Sequence, residues 1–362
     1  MRSRITALAV AALTVAPVLQ SQATFVQYTG NAEKAIVTQD AGVGGGINNP
    51  LYLPPATDNN YSGIVNLWFR NAAGVVQGAC TGSLLEGGGR RKILTAGHCI
   101  ADNSSTIVWS SFTARFRNAD GTFTEVNGTG FAVQSNYSGN VVEEQDVAVL
   151  TLSADAPASA RGYSLFTGNP LVDYTAAGFG RTGTGLTGDN NNANNQFGAV
   201  NVLRAGRNRF ESTGNDAEFF AENGNPNVAG FGGVLLSDFD DINGSPDSFT
   251  CLGLEFCDNG FGLNEVAIGR GDSGGAALTN TWQVLGVASW GSTTDGISLS
   301  QYGTDFGYAC VANFAANAAC LANYRFVQSQ LANVVPEPST YALMATGLIG
   351  IIGLARRRQV RA

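Results

Sequence analysis

Forty-seven of the 362 residues are glycine, about one in eight, and they are spread through a chain rich in Asn, Thr and Ser and poor in Lys. Glycine in a helix interior costs roughly 1 kcal/mol relative to alanine, so a chain interrupted this often is poorly suited to long helices. Strands and turns are favoured, and the body is expected to be predominantly β. Ile64-Val65-Asn66-Leu67-Trp68-Phe69 reads as a strand, Ala73-Gly74 as a turn, and Val75 to Leu85 as a second strand. Lys92 to Thr95 is a third, Thr106 to Phe116 and Thr122 to Phe131 flank a hairpin turn at Asn118-Ala119-Asp120-Gly121, and Asp146 to Leu152 alternates as a half-buried strand.

Both ends read as sorting signals. Met1-Arg2-Ser3-Arg4, an apolar run from Ile5 to Leu19 and the small-residue exit Ser21-Gln22-Ala23 predict a signal peptide over residues 1–23; a retained anchor or a buried helix is the alternative. At the other end Val335-Pro336-Glu337-Pro338-Ser339-Thr340 leads into apolar Tyr341 to Ala355 and then Arg356-Arg357-Arg358. This resembles the PEP-CTERM sorting tail of Gram-negative bacteria, here residues 332–362, which implies processing by an exosortase-type enzyme and a membrane contact through the tail alone. Its apolar run is short of the roughly 20 residues of a free-standing span, and the arginines would hold its end at the cytoplasmic face. A simple anchor or a terminal core helix is the plainer reading.

With both ends removed, basic residues fall from 20 to 14 and acidic residues from 28 to 27, leaving a body near −13. Such a surface repels nucleic acid and anionic lipid. Between signal and tail lie about 310 residues, enough for one large or two small cores. Six cysteines in an exported chain favour disulfides over metal, and three sequence-local pairs suggest themselves: Cys80 with Cys99, Cys251 with Cys257, and Cys310 with Cys320. With one histidine and no Cys-x-x-Cys pair, neither a metal nor a cofactor is expected. Acidic Asp238 to Gly244 invites a calcium-loop reading, but Ile242 stands where an EF-hand needs an oxygen ligand. Residues 24–60 read as an irregular extension, Thr182 to Asn227 as long surface loops, and Cys320 to Leu331 as a short helix with Tyr324, Val327 and Leu331 at helical spacing.

The single histidine, His98, lies in Leu94-Thr95-Ala96-Gly97-His98-Cys99, far upstream of Gly271-Asp272-Ser273-Gly274-Gly275. A serine hydroxyl is a poor nucleophile until an imidazole takes its proton, so a serine–histidine mechanism here must use His98. Glycines around Ser273 suit a tight turn whose backbone N–H groups face a developing oxyanion.

Cys80-Thr81-Gly82-Ser83-Leu84-Leu85, the His98 motif, Asp146-Val147-Ala148-Val149-Leu150, Ala177-Gly178-Phe179-Gly180, Gly271 to Gly275 and Ser289-Trp290-Gly291 follow one another as in chymotrypsin-like serine peptidases, which this chain resembles over residues 61–331. The resemblance implies two six-stranded antiparallel Greek-key barrels, about 61–165 and 166–331, with the active site in the cleft between them. It implies His98 as general base and acid, Ser273 as nucleophile, Asp146 as orienting carboxylate, Gly271 and Ser273 as oxyanion donors, and a Cys80–Cys99 bridge. The implied substrate is a protein or peptide, and signal peptidase is the implied processing partner at the N-terminus.

Counting back from Ser273 puts Ala267 at the floor of the primary pocket, with Ser289, Trp290 and Gly291 on its wall and Gly303 or Gly307 as a second wall glycine. That uncharged pocket favours apolar or aromatic side chains; Asp295 or Asp305 reaching it would overturn this. A histidine-based glutamate pocket is excluded because His98 is committed. Gly269 replaces a cysteine that usually braces the pocket, and no Arg/Lys-Ile-Val-Gly-Gly activation site is present; Lys34-Ala35-Ile36-Val37 is a poor imitation, so the partner of Asp272 is open. The competing readings are a surface or matrix binding module on the same fold, which the intact triad argues against, and an esterase-like acyl transferase, which lacks its Gly-x-Ser-x-Gly elbow.

Overall fold

The computed structural model describes residues 24–26, 36–189, 202–214, 232–244, 260–293 and 301–332. Cys251, Cys257, Asp295, the signal peptide through Ala23 and the tail beyond Ala332 lie outside the described residues. Strands β1 (Thr24–Val26) and β2 (Val37–Thr38) come first, from the stretch expected to be an irregular extension. Then β3 (Ile64–Arg70), β4 (Val76–Leu84), β5 (Lys92–Thr95), β6 (Ser111–Arg117), β7 (Phe123–Val133) and β8 (Ala148–Leu152) close a barrel in the order β3-β4-β5-β8-β7-β6.

The remainder is β9 (Asp173–Gly178), β10 (Gly183–Thr184), β11 (Arg204–Arg209), β12 (Ser212–Thr213), β13 (Val234–Ser237), β14 (Val266–Ala267), β15 (Ala276–Leu278), β16 (Val284–Thr293), β17 (Phe306–Cys310) and the helix α1 (Ala318–Ala332). Seven of these strands curl into an antiparallel half-barrel, β11-β9-β15-β16-β17-β13-β12, and β1 adds to β16. A small sheet, β10-β2-β14, flanks it. The expected pair of β barrels is thus present as one closed barrel and one curled open sheet.

Alternation explains the first barrel. Val65, Leu67 and Phe69 of β3 and Phe112, Ala114 and Phe116 of β6 point into its interior. Gly128 in β7 makes room for Phe112: a Cβ there would lie 1.8 Å from the ring, and the strand bulges between Gly128 and Gly130. Strand β8 differs from the half-buried expectation, because both of its faces are covered. Ala148, Leu150 and Leu152 fill the barrel, whereas Val147 and Val149 join the core shared with Ala177, Phe179, Leu278 and Val287 of the second sheet. That two-sided burial fixes Asp146, one residue before this run, at the junction of the two halves.

Two other expectations change. The stretch read as surface loops contains β11, which pairs with β9 from Arg204↔Gly178 to Arg209↔Asp173; its polar sequence hides the strand. The extension is not peripheral either, since Ile36 and Val37 are fully buried in the second core. Helix α1 forms as its spacing predicts, and Asn317 caps it by accepting the N–H groups of Ala319 and Cys320 at 3.1 Å. The Cys80–Cys99 and Cys310–Cys320 disulfides are formed. Among the described residues no helix is long and apolar enough to cross a membrane.

Candidate active site

His98 follows β5 on a single buried turn, Gly97–Cys99, which the Cys80–Cys99 bridge ties to β4. Asp146, with no solvent exposure, holds this turn twice: Oδ1 accepts the His98 backbone N–H at 2.7 Å and Oδ2 lies 2.7 Å from Nδ1. A carboxylate only accepts, so it selects the tautomer protonated at Nδ1, which leaves Nε2 with its lone pair. Ser289 from β16 adds a third contact by donating its hydroxyl to Asp146 Oδ2. Expected as a pocket-wall residue, Ser289 thus orients the carboxylate. A Cβ on Gly97 would come within 3.1 Å of Asp146 Oδ1 and 3.3 Å of the Tyr137 ring, so the turn is packed tightly behind the imidazole.

The Ser273 loop is pressed against the same turn from the second half. Thr81 N donates to Ser273 O at 3.0 Å, and Ser273 O lies 3.6 Å from Sγ of Cys99, the neighbour of His98. Gly274, at φ +77°, approaches so closely that a Cβ would meet Thr95 Oγ1 at 2.0 Å and Ala96 N at 2.7 Å. Only glycine fits there. Gly271 also has positive φ, +94°, and its carbonyl accepts the Thr81 hydroxyl at 3.0 Å; Thr81 Oγ1 in turn accepts Phe179 N–H at 3.0 Å. Thr81 is the polar bolt joining β4, the end of β9 and the Ser273 loop.

Asp272 has its partners. Oδ2 accepts the backbone N–H of Ile36 at 2.7 Å and that of Gly269 at 2.9 Å, and Oδ1 accepts that of Gly180 at 2.9 Å. Burial pushes its carboxyl up to about 6, against the pull of these three N–H groups and of the Arg204 guanidinium. The poor activation motif therefore places Ile36 at the aspartate beside Ser273. Ile36 itself sits at φ +28°, a costly conformation for a β-branched residue.

Ala267 is fully buried in the second core and pairs with Val37 through the main chain. Trp290 is likewise fully buried, packed on Gly307, where a Cβ would be 2.4 Å from the indole. Gly291 pairs with Phe306 on one side and Val26 on the other. Gly303 has φ +75°, and Asp305 is buried just before β17. Gly269 N donates to Asp272, and a Cβ on Gly269 would meet Arg181 O at 2.9 Å, so hydrogen bonding here does the bracing that the missing cysteine would have done.

The acidic run of the calcium-loop reading ends in a turn over residues 242–244. Asp238 and Asp240 converge with Glu265, their oxygens within 4.8 Å of one another, and Glu265 accepts the N–H groups of Asp240 at 2.8 Å and Phe261 at 2.6 Å. It is the one carboxylate cluster among the described residues able to hold a metal.

Residues 55–225 match the family Trypsin, and residues 334–359 match the PEP-CTERM protein-sorting motif. Similar solved structures include a Glu endopeptidase in complex with MPD, 16% identical with 78% of this chain and 95% of that chain covered at a TM-score of 0.44. HL collagenase is 17% identical over 72% and 92% at 0.48, and neuropsin, a serine protease of mouse brain, is 15% identical over 76% and 96% at 0.47. No match is found among curated proteins. With His98 and Asp146 inside the matched stretch, the chain carries a Trypsin domain, that of serine-type endopeptidases, over residues 55–225 and a PEP-CTERM sorting motif over residues 334–359.

Proposed function

We propose that this exported endopeptidase cleaves peptide bonds through an ester on Ser273, with His98 as proton carrier and Asp146 as its orienting carboxylate. The observation that carries the reading is the buried His98–Asp146 pair, held at both the ring and the backbone nitrogen. Ser273 Oγ adds to the scissile carbonyl carbon while its proton passes to His98 Nε2. The oxyanion is received by the N–H groups of Gly271 and Ser273, a contribution on the order of 10²–10³ in rate per donor. Collapse expels the amine, which takes the proton from His98. Water then attacks the ester, giving one proton to His98, and Ser273 Oγ recovers that proton as the acid leaves.

The substrate would bind as an extended strand on β16. That edge can accept one, because β1 already pairs there from Thr24↔Thr293 to Val26↔Gly291. Ala267 at the pocket floor brings no charge, which favours an apolar or aromatic side chain before the cleaved bond. Maturation would cut Ala35–Ile36: the torsion that strains Ile36 spans that bond, so cleavage releases it and turns the N–H at Asp272 into an ammonium. The sorting motif supports export to a Gram-negative cell surface, with signal peptidase and an exosortase-type enzyme acting at the two ends.

A fluorophosphonate probe applied to the folded, processed protein, with Ser273→Ala as the comparison and casein as substrate, tests the reading. Labelling and hydrolysis are expected to vanish together in the variant. Equal labelling of both proteins would remove Ser273 from the mechanism, and a folded protein with neither activity would favour the binding-module reading.

A further inference from the structure

A second cation stands beside Asp272. Arg204 opens β11 directly opposite Gly178 of β9, and Gly178 is the residue on which the Asp272 carboxylate rests: a Cβ there would lie 2.1 Å from Oδ1. The Arg204 side chain is buried, only 5% of the residue being exposed, and Nε donates to Ile47 O at 2.9 Å. Its Nη1 is buried without a hydrogen-bond acceptor. A guanidinium held in that state needs a nearby anion. Asp272, resting on Gly178 opposite Arg204, is placed to be that anion, and the carboxylate favours the charged arginine as the arginine favours the carboxylate.

We propose that Arg204 is a permanent counter-charge for Asp272, a positioning residue that keeps the Ser273 loop of the processed protein in its working shape whatever the charge on the Ile36 amine. This rests on the Ser273 reading above. The maturation proposed above gives Asp272 one further cation, the new Ile36 amine, which loses its charge as pH rises past roughly 8 unless pairing raises it. A guanidinium does not titrate in that range. Arg204 is the charged side chain acting on Asp272 among the described residues. Asp189, Arg270 and Arg181 gather one step away around Gly269, where Asp189 accepts Arg270 N–H at 3.2 Å and lies 3.5 Å from its Nε.

The test is the alkaline limb of fluorophosphonate labelling, measured from pH 6 to 11 on processed protein beginning at Ile36. Wild type is expected to keep its labelling rate within about threefold above pH 9. Arg204→Gln is expected to match it near neutral pH and fall at least tenfold on the alkaline side, and Arg204→Lys to restore the limb up to the lysine's own titration. A purely structural role would lower the rate at all pH values equally, and such a parallel loss overturns the proposal. So does a wild-type limb that collapses with the amine, a result that needs no variant to fold. Labelling that persists in Ser273→Ala would instead break the underlying assignment of the nucleophile, whatever the shape of the limb.

Discussion

Ile36 donates its backbone N–H to the carboxylate of Asp272 at 2.7 Å, across 236 positions of sequence. In the intact chain Ile36 is held at Asp272 with φ +28°; cleavage of Ala35–Ile36 frees the new terminus from that torsion, so the contact forms without strain whatever the amine's charge. A chain with a specific protease site in place of residues 30–35 is therefore expected to gain tenfold or more in fluorophosphonate labelling when cut. Asp272→Asn should abolish most of that gain, and an equal rate before and after cutting would show that the Ile36 contact does not organise the site.

Thr81 is expected to matter for turnover more than for substrate affinity. Its hydroxyl accepts Phe179 N–H and donates to Gly271 O, both at 3.0 Å, so it ties the first barrel to the residue proposed to donate to the oxyanion. Thr81→Val keeps the shape and strands two buried polar groups, a cost of about 1–3 kcal/mol. Steady-state kinetics should show kcat falling by at least tenfold with KM within about threefold, and urea denaturation should show the stability loss. A change confined to KM would contradict the role.

The proposed trio of His98, Asp146 and Ser273 could be picked out because each member lies in a short local signature: one histidine in the whole chain, a glycine-flanked serine, and an aspartate at the head of an alternating strand. Local signatures are what a sequence displays best. Ile36 was hidden because Val37 is followed by Thr38 and Gln39, not by paired glycines, and because its partner is fixed only when β2 pairs with β14. Arg204 was hidden because Arg-Ala-Gly-Arg-Asn-Arg carries no apolar alternation, although β11 is held by main-chain pairing with β9. The Ser289 contact with Asp146 was not legible, since only the folded chain turns its hydroxyl toward that carboxylate. The second half was expected through the resemblance alone and is present as a curled seven-strand sheet.

Asp272 gives a pH signature to the intact chain. Its carboxyl is pushed up to about 6 in the folded state, against about 3.9 unfolded, so the folded protein binds the extra proton between these values. The associated stability is fully present below pH 4 and is lost as pH rises through 6. The span corresponds to on the order of 2–3 kcal/mol. Denaturation of the uncut protein from pH 4 to 7 should show this loss, and Asp272→Asn should flatten it. Cutting Ala35–Ile36 adds an ammonium and should move the transition toward lower pH; an unchanged profile in both would contradict the burial of an ionisable group here.

The strand β1 makes the uncut chain its own competitor. Thr24, Phe25 and Val26 pair with Thr293, Ser292 and Gly291, on the edge of β16 that becomes free where β15 turns back toward the Ser273 loop. An extended peptide cannot use the same main-chain groups while β1 occupies them. A short synthetic peptide containing Thr24 to Val26 should therefore inhibit the processed enzyme competitively, raising KM and leaving kcat unchanged. Because so short a strand fixes few residues, its affinity should be weak, with Kd on the order of 0.1–1 mM. Gly291→Pro, which removes the main-chain donor at the register position opposite Val26, should weaken the peptide and the substrate together. Inhibition that lowers kcat without affecting KM, or a substitution that spares the substrate while releasing the peptide, would place the substrate strand elsewhere than on this edge.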